Sequence, residues 1–297
     1  MIRDTFSRKV FLTFNAIFIS ILTITCVIPI WNVFCMSLSD SAAVSNGSVG
    51  IWPVNFTLDA YKLVMKNNQF WTALGVTGQR LLVGIPVNML MTILAAYPLS
   101  KSEKVFKARK FYIWIFIITL LFHGGLIPTY IVVGKLHLID EIWALVLPGA
   151  VPVFNVVLLM NFFRSLPKEI EESAFIDGAG QWTIMWRIYL PFSTPALATI
   201  FLFVTLGHWN SWFDGLIYMN SPSRYPLQSY LQTIIASATK NSLATTGDIQ
   251  ALLLLFNVSD KNVRAAQLFI SMIPILAIYP WLQRYFTTGI VMGSVKG

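Results

Sequence analysis

Six stretches of this chain are each long and apolar enough to cross a lipid bilayer, and that constrains its fold more than any other feature. A spanning helix needs about 20 predominantly apolar residues, because the hydrocarbon offers no water to satisfy exposed backbone groups. The candidates are Phe11–Met36, Trp71–Leu99, Phe111–Val133, Trp143–Phe163, Ala196–Tyr218 and Ala265–Phe286. The chain is 56% hydrophobic and 11% charged, more apolar and less charged than a soluble core requires, which places it in the membrane class. The expected fold is an all-α membrane protein with six transmembrane helices.

Charge sets the expected orientation. Arg3, Arg8 and Lys9 precede the first span. Lys101, Lys104, Lys107, Arg109 and Lys110 fill the second–third loop. Arg164, Lys168 and Arg187 flank a central loop, and Arg284 and Lys296 close the chain. Short basic loops stay inside the cell, so both termini and the central loop are expected to be cytoplasmic. The outer segments are then roughly 37–70, 134–142 and 219–264. The first apolar run is too long for a signal-peptide core and lacks a small-residue cleavage site, so it is read as a retained span. Three blocks result: an N-terminal segment 1–70, a core 71–290 with its central loop at 165–191, and a tail 291–297.

No chemistry-bearing motif stands out. A phosphate-cradling G-x-x-x-x-G-K-[ST] is absent, as are H-E-x-x-H and G-x-S-x-G. His123, His137 and His208 are far apart in sequence and are read as packed or hydrogen-bonded residues. Cys26 and Cys35 lack metal-ligand spacing with any histidine and are read as inert packing residues. No catalytic residue, metal site or cofactor is assigned to the chain, so uphill transport would need a separate energy source.

Polar groups within the apolar runs mark a path or its rim. Arg80 lies well inside the second run and either faces protein or water, or snorkels to the outer surface. The run Gly207–Asn220 carries Trp209, Asn210, Trp212 and Asp214. Aromatic faces beside amide and carboxylate groups suit sugars; the alternative is an aromatic belt at the interface. Tyr218 is assigned to the belt, and Trp209, Asn210, Trp212, Asp214 and Arg80 are candidates for the substrate path. Gly84, Pro86, Pro98, Pro128, Pro148 and Pro152 are read as breaks in the spans or at their ends.

The longest polar interruption that still looks folded is SLPKEIEESAFIDGAGQWTIMWRIYLP, residues 165–191. Ser165 is available as a cap, Pro167 suits a first helical turn, and Glu169, Glu171 and Glu172 meet the positive end of the helix dipole. Ile170, Ala174 and Phe175 fall on one face at helical spacing. Gly178 and Gly180 end this helix, and a second short one runs over about 181–190. Two short helices joined by a glycine elbow are expected.

The pattern EESAFIDGAG…IYLP resembles the EAA loop of binding-protein-dependent ABC importer permeases. Glu172, Ser173 and Ala174 fill the E-A-A positions, Gly178 the glycine, and Ile188, Leu190 and Pro191 the ending; Ser173 stands where alanine is usual. FHGGLIPTYIVVGKLHLIDEIWALVLPG, GHWNSWFDGLIYMN and LQRYFTTGIVMGSVKG extend the resemblance to the carbohydrate branch, in the subgroup importing complex oligosaccharides. The resemblance implies a maltose-permease-like, type I importer core of six helices. It implies a second, different permease, two copies of a cytoplasmic ATPase that binds ATP and Mg, and an extracytoplasmic solute-binding protein. It also implies that Glu171, Glu172, Ser173, Ala174, Asp177 and Gly178 belong to an ATPase-coupling helix. Arg187, Leu190 and Pro191 would tie the second short helix to the membrane core. The segment 221–264, with PLQSYLQTII and SATKNSLATTGD, would meet the binding protein. Arg224, Lys240, Lys261 and Arg264 on outer loops point toward acidic saccharides. The alternatives are a permease for another small solute, or an ion-coupled secondary transporter.

Overall fold

The computed structural model describes residues 6–243, 261–278 and 280, and those residues are helical or looped throughout. The described residues of Met1–Phe70 and Thr233–Ile273 form one compact unit, and those of Trp71–Gln232 and Pro274–Gly297 a second.

In the first unit, α1 (Phe6–Ser37) is a 32-residue helix with Pro29 inside it. At 1.5 Å per residue it is about 48 Å long, longer than a hydrocarbon core of about 30 Å. None of its most apolar window is buried within the chain. The segment after it is folded rather than a bare loop. Asp40 caps α2 (Ser41–Ser45), and α3 (Asp59–Lys66) follows. Trp31 Nε1 donates to Ile51 O at 2.7 Å, and Asn32 Nδ2 to Gly50 O at 3.1 Å, so this segment folds back onto the end of α1. Cys35 is buried there, as expected, whereas Cys26 lies exposed on α1.

The second unit is organised on α4 (Asn68–Ser100), a 33-residue helix that continues through Pro86 and Pro98. These prolines were expected to break the span. Each removes only one bond of a long ladder, and the helix runs on. Its inner face, including Ile93, Ala96, Tyr97 and Leu99, packs against Val156, Leu159, Met160 and Phe163 of α7 (Val153–Ser165) and Ile200 and Val204 of α11 (Thr194–Asn210).

Three of the expected spans are bent, the fourth at prolines read as breaks in the sequence. The third divides into α5 (Arg109–Leu121) and α6 (Leu126–Lys135) at 116°, where Gly124 and Gly125 intervene and Gly125 takes φ +89°. The fourth divides at 50° between short turns over Ile142–Gly149 and α7, around Pro148 and Pro152. The fifth arrives through the helix Gln181–Phe192, turns by 82° at Ser193 into α11, and stops at Asn210. A separate short helix, α12 (Phe213–Tyr218), completes the expected segment. Glycine and proline at the breaks supply the backbone freedom or remove the donor that a continuous ladder would need. Three helices, Phe6–Ser37, Asn68–Ser100 and Lys261–Ile278, are by themselves long and apolar enough to span; counting each bent pair as one span brings the number to six among the described residues. The final stretch of the expected sixth span and the tail 291–297 lie outside the described residues.

Candidate functional site

Two sites stand out in the second unit: the central loop and a cavity among the bent helices that carries several buried polar groups.

The loop forms two short helical limbs and an elbow, as its sequence requires. α8 (Lys168–Ile176) begins after Pro167, with Glu169 and Glu171 in its first turn. Ser165 does not cap it. Its hydroxyl donates to Phe162 O at 2.7 Å, closing the end of α7, because the chain turns extended at Leu166 and Pro167 before α8 starts. At the other end Gly178 N–H donates to Phe175 O and Ala179 N–H to Ala174 O, at 3.0 and 2.9 Å. This is a Schellman stop, and it needs a left-handed residue after the cap; Gly178 supplies φ +81°. The second limb, α9 (Gln181–Ile184), runs through a π-helical turn at Met185–Tyr189 into α10 (Leu190–Phe192).

The buried face of α8 differs from the expected one. Ala174 is buried and Ile170 half-buried, but Phe175 is 44% exposed. Glu171 turns inward in its place. Glu169, Glu172, Ser173, Ile176 and Asp177 are exposed. On the second limb Leu190 packs against the core, whereas Arg187 and Pro191 are exposed, so Arg187 does not tie this limb down. The tie comes from Lys101, Tyr97 and Tyr189. Lys101 Nζ donates to Glu171 Oε1 at 2.7 Å, with side chains only 7% and 17% exposed. Tyr189 donates to the other carboxylate oxygen, and Tyr97 donates to Gln181 Oε1 at 2.7 Å. The ammonium sits 4.2 and 4.0 Å from the centres of the Tyr97 and Tyr189 rings. Burial pulls the Lys101 pKa below the ordinary lysine value, while the hydrogen bond and charge of Glu171 pull it back up. Arg109 and Arg164 both donate to Leu99 O, satisfying a carbonyl in the last turn of α4.

The cavity of about 440 Å³ lies where the breaks in the fourth and fifth segments approach α4. Arg80, Asn88, Asn155, His208 and Asp214 contribute its polar groups, with Phe203 and Tyr218 on its wall. Arg80 is 3% exposed and does not snorkel. Its guanidinium grips both oxygens of Asp214, donates to Leu145 O at 3.2 Å and to Ser211 O at 3.5 Å, and donates through Nε to His208 Nδ1 at 3.2 Å. Leu145 lies in the turn before α7, and Ser211 lies between α11 and α12. One arginine therefore satisfies carbonyls at two helix breaks. Because Arg80 only donates, Nδ1 of His208 accepts and Nε2 pairs with Asn88 Oδ1 at 2.9 Å. Asn88 Nδ2 in turn donates to Gly149 O at 2.7 Å. Gly84 makes room for this relay: a Cβ there would lie 2.5 Å from His208 Nε2.

The five path candidates separate. Arg80 and Asp214 line the cavity; Trp209 is buried outside its lining, while Asn210 and Trp212 are exposed away from it. A helix end at Asn210 throws these neighbours onto different faces. Tyr218, assigned to a belt, is instead buried, lines the cavity and stacks on Tyr130. Asn88, Asn155 and His208 were missed as site residues; polar residues on otherwise apolar runs were the available signal. His208 is packed and hydrogen-bonded as expected, but His123 and His137 are exposed, both lying where a helix has ended. Among the cations expected on outer loops, Arg224 is engaged by Asp140 and Glu141, with nitrogen–oxygen distances of 3.6 Å to each carboxylate. The segment 244–260 lies outside the described residues, so the proposed contact patch there has no structural account.

No family model matches the chain. Individual relatives do. It is 38% identical over 296 residues to Protein LplC of Bacillus subtilis (strain 168), covering 99% of this chain and 97% of the relative. It is 33% identical over 280 residues to the polygalacturonan/rhamnogalacturonan transport system permease protein YtcP of the same organism, covering 94% of this chain and 96% of the relative. Among solved structures it resembles a bacterial ABC transporter involved in the import of the acidic polysaccharide alginate, with TM-score 0.84, 31% identity, and coverage of 95% of this chain and 98% of that one. A helical core with a glycine-elbowed loop, matched nearly end to end by such relatives, identifies the chain as a member of the carbohydrate ABC transporter permease family.

Proposed function

We propose that this chain forms one wall of the translocation pathway of an ATP-driven importer for acidic, polysaccharide-derived oligosaccharides. It crosses the bacterial cytoplasmic (inner) membrane six times, with both termini and the central loop inside. A second, different permease forms the other wall. Two copies of a cytoplasmic ATPase bind ATP and Mg, and a solute-binding protein delivers the saccharide from outside. The chain itself binds no cofactor and catalyses nothing.

The observation that carries this reading is the division of α8 into two faces. Ala174 and Glu171 hold it to the chain, and Glu172, Ser173, Phe175, Ile176 and Asp177 project from it. A short rigid helix, stopped by a left-handed glycine and offering acidic and apolar groups outward, suits docking into a groove on a partner. Closure of the ATPase dimer would then move the α8–α4 assembly as a body and switch the side faced by the cavity. The relatives that handle polygalacturonan, rhamnogalacturonan and alginate support an acidic cargo. An ion-coupled carrier would need an intramembrane acid free to take up an ion. Asp214 is committed to Arg80, to the Ser211 hydroxyl at 2.7 Å and to the Gly215 N–H at 2.9 Å.

The test is uptake into proteoliposomes holding this chain, the second permease, the ATPase and the binding protein. ATP-dependent accumulation of oligogalacturonates above neutral arabino-oligosaccharides is expected. Accumulation without the ATPase, or a preference for the neutral sugar, would overturn the function or the cargo respectively.

A further inference from the structure

Resting on the coupling role just proposed, we infer that Lys101 and Glu171 form a buried latch that joins the coupling helix to the end of α4, so that the two move as one lever. Most of α8 is exposed, and only Ala174 of its apolar residues is buried. Apolar burial alone is therefore a weak anchor for a helix that must transmit force. The latch supplies what burial does not. Glu171 spends one oxygen on Lys101 and the other on the Tyr189 hydroxyl, and Tyr97 reaches Gln181 on the second limb. The first limb is thus fastened to the end of α4 through Lys101 and to the second limb through Tyr189, and the second limb is fastened to the last turn of α4 through Tyr97. Tyr97, Phe163 and Tyr189 meet edge to face, with centroids 5.1 to 6.2 Å apart, and two of these rings, Tyr97 and Tyr189, lie against the ammonium.

A surface ion pair would give under load, because water replaces either partner cheaply. This pair does not, because parting it strands a charge among aromatic rings. Lys101 and Glu171 are positioning residues in this account. They need not touch the ATPase, and they act by fixing the angle and stiffness of the helix that does.

The assembled importer, reconstituted with its binding protein and oligogalacturonate, is compared with Lys101→Met, Glu171→Gln, Tyr189→Phe and the exchanged pair Lys101→Glu/Glu171→Lys. Two quantities are read: saccharide moved per ATP hydrolysed, and hydrogen exchange of the amides of residues 168–176. Lys101→Met and Glu171→Gln are expected to hydrolyse ATP while the transport ratio falls by roughly tenfold, within the usual span of coupling strengths. Exchange in α8 accelerates in both. Tyr189→Phe gives a smaller change in the same direction, and the exchanged pair regains part of both quantities. Unchanged ratio and exchange in the single variants, or an exchanged pair that restores neither, overturns the latch. Gly178→Leu separates the two levels. If it leaves coupling intact, the coupling-helix reading itself fails; if it uncouples while the latch variants do not, only the latch fails.

Discussion

Replacing Arg80 by leucine removes the group that stitches three pieces of the second unit together. In the structure its guanidinium answers both oxygens of Asp214, the carbonyls of Leu145 and Ser211, and Nδ1 of His208. Leucine leaves Asp214 charged and without its counter-ion, although the Ser211 hydroxyl and the Gly215 N–H still reach it. Breaking one side of a buried ion pair costs about 3–5 kcal/mol. At about 1.4 kcal/mol per decade, that lowers the ratio of intact to unfolded protein by roughly two to three and a half decades. The double variant Arg80→Leu/Asp214→Leu removes both charges, so most of the electrostatic penalty disappears. Either variant leaves the Leu145 and Ser211 carbonyls short of a donor, at about 1–3 kcal/mol each, so that cost is common to both. The expected order of stability is therefore wild type, then the double variant, then Arg80→Leu alone. Denaturant titration of the purified complex in detergent, followed by tryptophan fluorescence, measures it. An Arg80→Leu midpoint equal to that of wild type, or a double variant no more stable than the single one, would refute the assignment of Arg80 as a satisfied internal brace.

The elbow should tolerate Gly178→Asn better than Gly178→Leu, because nothing lies within 4 Å of the Cβ position and the penalty is conformational, about 1–2 kcal/mol for a left-handed residue that asparagine adopts more readily. Transport per ATP in proteoliposomes ranks the two, and equal loss in both would sink that cause. Gly84→Ala pushes a methyl against His208 and should destabilise by about 1–3 kcal/mol, with Gly84→Ala/His208→Ala recovering part of it; a fluorescence melt of each complex checks this. In a chain lacking its own cysteines, Glu172→Cys should react with a membrane-impermeant maleimide only from inside, and Trp52→Cys, at an exposed position in the segment proposed to lie outside, only from outside. Labelling of position 172 in intact cells would reverse the proposed orientation.

Much of the central loop was legible because its signals are local. Glutamates at a helix start and a glycine needing φ +81° act within a few residues, so the elbow between positions 176 and 180 follows from the order of residues. Glu171 was not legible. In sequence it is one acid in an acidic turn beside Glu172, and only the approach of Lys101, 70 positions earlier, makes one of the two neighbours internal and leaves the other outside. Arg80 carried an open question for the same reason, since the choice between snorkelling and burial depended on an aspartate 134 positions away.

By itself the sequence determined that this chain lives in a bilayer, which segments are apolar enough to enter it, and that one folded polar loop interrupts them. Those properties are sums of transfer free energies and short-range backbone preferences, and they need no knowledge of neighbours. The tertiary structure alone decided by how much the segments bend, that the loose carbonyls at two helix breaks are met by a single arginine, and that a lysine at the end of α4 holds the loop. Buried polar groups in a medium without water must find partners inside the protein, and which partners they find depends on how distant segments pack.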